Sequence, residues 1–152
     1  MSVYNVDMLM EQTRNLAAEY RRSTGQTLAV SGEIAKYDAV RILHLEQPHD
    51  LQAGVDAMME RGGEKLEVQI KARVIFDEQR NTYKLGKINL DGHWQMLLLV
   101  LLNKEYITTE IIALSRAELL KLIEADSKIA EQVISVPKFR VLGKTIWPAS
   151  SD

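Results

Sequence analysis

The residues best equipped for chemistry lie on one short stretch, Lys65-Leu-Glu-Val-Gln-Ile-Lys-Ala-Arg73. Apolar and polar residues alternate there, as they do along a strand with one buried face. Leu66, Val68, Ile70 and Ala72 make the apolar side; Glu67, Gln69, Lys71 and Arg73 make the other. Upstream, Asp56 follows Gly54-Val55 in a run otherwise apolar at Val55, Ala57, Met58 and Met59. A carboxylate in such a run is costly unless it is paired or bound to metal. If the two runs pair as a hairpin in the natural register, Asp56 meets Gln69 and Lys71. Carboxylate and amide oxygens are hard ligands that suit a divalent cation. A nearby lysine orients an attacking water and offsets charge growing on a phosphate. Together these groups suffice for metal-assisted phosphodiester hydrolysis.

The elements that must hold these residues can be read along the chain. Residues 6–22, rich in Met, Leu, Ala, Glu and Arg, predict a helix that ends at Ser23-Thr24-Gly25. A second helix is expected from Ser31, as N-cap, to about Leu45, apolar on much of its circumference and therefore largely buried. Val55–Glu60 and Lys65–Arg73 are expected as a hairpin around Arg61-Gly62-Gly63-Glu64. His93–Leu102 and Ile107–Leu114 predict two further strands joined at Asn103–Tyr106. The run Met96-Leu-Leu-Leu-Val-Leu-Leu102 is far too short to cross a bilayer, which takes roughly 20 residues. It is expected as a buried strand. Ser115-Arg-Ala-Glu118 is a capping box opening a helix to about Ala125. Lys128–Val133 suggests a little more helix, and Val136–Leu142 a late strand. The class expected is α/β, mixed and α+β-like, with a four-stranded central sheet flanked by helices.

The set of Asp56, then Gln69-Ile-Lys71 across a hairpin, preceded by a helix bearing Gly32-Glu33, resembles the PD-(D/E)XK nuclease superfamily, the restriction-endonuclease-like fold. The resemblance covers roughly residues 31–124, a core in αβββαβ order. The helix at 6–22 and the stretch at about 126–147 are additions to that core within a single domain. It implies that Glu33 matches the acidic residue of the first core helix, Asp56 the first-strand aspartate and Lys71 the lysine. Gln69 stands where the family has an acidic residue, and Glu67 is the nearest source of the displaced carboxylate. The resemblance implies a Mg²⁺ or Mn²⁺ cofactor held by Asp56, Gln69 and Glu67, and a nucleic-acid substrate, DNA before RNA. Arg73 and Lys36 are expected to touch backbone phosphate.

Composition sets bounds around that reading. The chain has 152 residues, no cysteine and a formal net charge of −2. This excludes disulfides, thiolate zinc sites and cysteine nucleophiles, and a strongly cationic coat. Met1–Met10 lacks a basic, then apolar leader, so a cytoplasmic protein is expected, with no membrane partner. His44, His49 and His93 have no metal-ligand spacing. Trp94 and Trp147 fit core or interface packing better than base stacking, and Met8, Met10, Met58 and Met59 fit core filling. The expected function is a metal-dependent nuclease-like phosphodiesterase. The alternative is a catalytically silent module of the same fold that binds nucleic acid or a protein. The N-terminal helix is expected to support a homodimer in either case.

Overall fold

Helix α1 (Val6–Thr24) begins where Asn5 accepts a hydrogen bond from the Asp7 amide at 2.7 Å. It ends at Gly25, whose φ of 75° is the left-handed stop that glycine accepts without strain. Helix α2 (Ser31–Leu43) starts at the expected place with a different cap. Ser31 is its first helical residue, Val30 takes the cap position, and no side chain closes that end. These are features of a computed structural model that describes residues 5–48, 54–77, 79, 83–85, 88, 90–125 and 134–149.

Among the described residues the sheet has five strands, one more than expected: β1 (Ala57–Arg61), β2 (Glu64–Val74), β3 (Met96–Leu102), β4 (Thr108–Ser115) and β5 (Lys144–Trp147). They lie side by side in chain order, β2 and β3 parallel and the other neighbours antiparallel. The class is mixed α/β. Four strands run between α2 and the next helix, where the resemblance implies three. Gly62 and Gly63, at φ 61° and 81°, turn the β1–β2 hairpin, since a two-residue turn of the right twist needs positive φ at both positions.

β3 is buried along its whole length, and its alternation divides two cores. Met96, Leu98, Val100 and Leu102 pack with Ile34, Ala35 and Ala39 of α2 and Ala17 and Ala18 of α1. Leu97, Leu99 and Leu101 pack on the opposite face with Trp94, Leu119 and Phe139. Leu119 belongs to α3 (Arg116–Ala125), which the Ser115 hydroxyl caps by accepting from the Glu118 amide at 3.2 Å. Trp94 is thus a core residue. Met8, by contrast, is exposed rather than filling a core.

Val136–Leu142 is a helix, α4, and not the expected strand. The Ser135 hydroxyl accepts from the Lys138 amide at 3.2 Å, and Pro137 sits in the first turn, where its fixed φ suits a helix and its missing N–H is not needed. Val136 and Phe139, three apart, are its buried residues. The late strand is β5, directly after Gly143. A Cβ there would come within 2.8 Å of the Ala113 carbonyl, so only glycine lets the chain pass that close. The helical turns expected at Lys128–Val133, and His49, lie outside the described residues. No described helix is long and apolar enough to cross a membrane.

The feature that matters for the site is how β2 changes partners. Its first part, Glu64–Val68, pairs with β1; its second part, Val68–Val74, pairs with β3. Beyond Val68 the edge that faced β1 has run past that strand's start at Ala57, and the residue waiting there is Asp56.

Candidate active site

Asp56 continues the β1–β2 ladder with its side chain. Its own amide donates to the Val68 carbonyl at 2.7 Å. Its carboxylate then takes the next inward amide of β2: Oδ2 accepts from the Ile70 N–H at 2.8 Å. A backbone donor that would otherwise lose its partner is satisfied by a charged acceptor, one of the stronger hydrogen bonds available. The carboxylate consequently lies along the sheet edge instead of on one face, and groups from both faces reach it. From the α2 side, Lys36 Nζ stands 3.3 Å from Oδ1. From the other side acts Lys71. Burial pushes its ammonium pKa below that of an ordinary lysine, and the charge of Asp56 opposes that shift.

The β2 alternation is the expected one. Val68, Ile70 and Val74 enter the core under α1 and α2. Glu67, Gln69, Lys71 and Arg73 therefore project from the opposite face. Gln69 is buried, and its Oε1 has no hydrogen-bond partner. Glu67 repeats the situation two residues away: its Oε2 is buried and also lacks a partner. An unmatched buried oxygen costs about 1–3 kcal/mol. Two of them on one strand face ask for something that brings positive charge or donors.

Gly54 helps shape the same spot. At φ 82°, it lies so close that a Cβ would meet Gly92 Cα at 3.1 Å, Trp94 Cδ1 at 3.2 Å and Gln69 Nε2 at 3.3 Å. Any side chain there would displace the amide of Gln69. The sequence signal for this position was a glycine two residues before a lone aspartate, and composition alone does not show that it touches Gln69.

A divalent cation fits this donor set. The test is the pair of orphaned oxygens, Gln69 Oε1 and Glu67 Oε2, on a face adjoining the Asp56 carboxylate. Carboxylates alone do not form the centre. Among the described residues, no group of three His, Cys, Asp or Glu side chains is placed to hold a metal. A cation held here would draw on the amide oxygen of Gln69 as well as on carboxylates.

The remaining candidates fall at the margin. Glu33 is on α2 with its side chain largely exposed, and its carboxylate is 3.8 Å from Lys36 Nζ. It reaches Asp56 only through that lysine. Lys36, expected at phosphate, is the ion-pair partner of Asp56. Arg73 is exposed, with its guanidinium 5.7 Å from the centre of the Tyr83 ring. It borders a cleft of about 310 Å³ shared with Ser31, Phe76 and Tyr83.

A second polar cluster, unforeseen from sequence, joins α1, α2 and β4. Arg14 donates to both oxygens of buried Asp38, at 2.8 and 2.9 Å, and to the Tyr106 carbonyl. Thr108 donates to Asp38 Oδ2 at 2.6 Å. Asp38 holds the Arg14 guanidinium pKa above its ordinary value. Every bond here closes within the protein, so the cluster fastens the helix pair to the sheet and leaves no oxygen seeking a ligand. No protein-family model matches this chain, and no curated protein matches it at a significant level.

Proposed function

We propose that the chain is a metal-dependent phosphodiesterase acting on nucleic acid, a nuclease of the PD-(D/E)XK type with Gln in the acidic position. The observation that carries this reading is Gln69 Oε1, buried and unmatched, on a strand that also bears a pKa-lowered lysine and is bonded to a carboxylate. Structure-building polar groups are normally satisfied, and groups left otherwise concentrate where function needs them. Asp56 and Gln69, with Glu67 in support, would hold Mg²⁺ or Mn²⁺. The bound cation would supply Lewis-acid polarisation of a phosphodiester oxygen. Asp56 is fixed by the Ile70 amide through Oδ2, so its other oxygen, Oδ1, presents a set direction. Lys71 Nζ orients the attacking water and places positive charge beside the phosphoryl oxygens as negative charge grows there. Its burial strengthens both effects, because partial exclusion of water raises the value of a nearby charge.

The silent-module reading draws on the amide itself, which binds Mg²⁺ with no negative charge of its own. Cleavage of single- and double-stranded DNA and of RNA in Mg²⁺ and Mn²⁺ separates the two. Wild type is expected to cut and Lys71→Ala to lose cutting while remaining folded. Identical behaviour of the two across all substrates would overturn the nuclease reading. A homodimer through α1, whose Val6, Leu9 and Leu16 are exposed, would bring two sites to one duplex. Sedimentation of the intact chain would test it.

A further inference from the structure

We infer that Lys36 is a resident counter-ion of Asp56, which a divalent cation must displace, and that Glu33 receives the displaced ammonium. The inference rests on the metal reading above.

The two oxygens of Asp56 are not equivalent. Oδ2 is committed to the Ile70 amide at 2.8 Å, and releasing it would open the end of the β1–β2 ladder. Oδ1 is the oxygen left for a metal, and Lys36 Nζ already stands 3.3 Å from it. An ammonium ion and a divalent cation at the same oxygen repel strongly, the more so because Asp56 is only 21% exposed. Binding the cation therefore means moving the lysine. Glu33, one helical turn before Lys36, already lies 3.8 Å from Nζ. It is 77% exposed and already within ion-pair reach, so a small rotation of the Lys36 side chain moves the ammonium wholly from Asp56 to Glu33. Held this way, the Asp56 carboxylate has a cationic partner of its own, and taking up a metal costs that favourable pair. Glu33 then affects metal uptake without touching the metal.

Titration calorimetry with MnCl₂ tests this on the intact chain. Lys36→Met is expected to bind Mn²⁺ about tenfold more tightly than wild type, since both the lost pair and the cation–cation repulsion disappear. Arg73→Met, which removes a positive charge without touching Asp56, should stay within about twofold. Glu33→Gln is expected to weaken uptake severalfold in wild type and to have no effect in a Lys36→Met background. That loss of coupling separates an exchange of partners from a general field effect. Lys36→Gln serves as the second variant should Lys36→Met fold poorly.

An affinity for Lys36→Met equal to or below that of wild type would overturn the inference, as would a Glu33 effect that persists without Lys36. If wild type takes up Mn²⁺ and Asp56→Asn does not, either of those results leaves the metal reading standing. If wild type takes up none, both fall together.

Discussion

Replacing Gln69 by Met tests whether its buried oxygen awaits a ligand. Methionine has similar length and volume, so packing beside Gly54 is nearly kept. In the metal-free protein the substitution removes an unmatched Oε1, worth about 1–3 kcal/mol, and forfeits any bond made by Nε2, worth about 1 kcal/mol. The net expectation is a gain of about 1 kcal/mol, or about 3 °C in melting temperature for a chain of this size. With Mn²⁺ at a hundred times its dissociation constant, wild type gains about 2.7 kcal/mol, near 8 °C. The variant, without its amide ligand, gains little. The order of stability should invert: Gln69→Met melts above wild type in EDTA and below it in saturating Mn²⁺. Calorimetric melts in the two buffers read both signs. A variant less stable than wild type in EDTA would mean that Oε1 is structurally satisfied. Equal Mn²⁺ shifts would mean that Gln69 is no ligand. Either result refutes the reasoning.

Three further outcomes follow from the same geometry. Lys71→Met should raise stability near neutral pH only slightly, by about 0.5 kcal/mol at most because water screens a half-exposed ammonium, while abolishing cleavage. Because the folded state lowers the Lys71 pKa below 10.5, the penalty for its charge is present below that lowered value. It fades as pH rises toward 10.5, so the advantage of the variant should shrink over that window in melts at rising pH. Asp56→Ala should cost about 2 kcal/mol, roughly 6 °C, by stranding the Ile70 amide, and should eliminate Mn²⁺ heat in calorimetry. Arg14→Met leaves Asp38 buried without its partner, and chemical denaturation should show a loss of about 3–5 kcal/mol. Because that cluster is separate, Mn²⁺ affinity measured on the folded variant should stay within about twofold.

Strong periodic signals made much of this architecture legible in the sequence. The alternation at Lys65–Arg73, the twin glycines at 62–63 and the unbroken apolar run at Met96–Leu102 each have one dominant physical reading, and each element forms where that reading puts it. Val136–Leu142 misled because Val, Phe, Val and Leu favour strands, whereas Ser135 and Pro137 decide the matter as cap and first-turn residue. β5 escaped notice because it is four residues long and only half-buried, too short for a pattern. At the site, the juxtaposition of Asp56 with β2 was accessible from hairpin register. Its geometry was not, because register says nothing of a carboxylate replacing a backbone acceptor at a strand's end. The pairing of Lys36 with Asp56 depends on how α2 lies across the sheet, a tertiary fact with no local signature.

The bond from the Ile70 amide to Asp56 also bears on how such a protein ages. A descendant that had abandoned its chemistry would still need that aspartate to finish the hairpin. The half-buried Lys71, next along from Ile70, has no such structural duty to protect it. Under the proposed function, the lysine and not the aspartate would therefore be the residue that tells a working copy of this fold from a retired one.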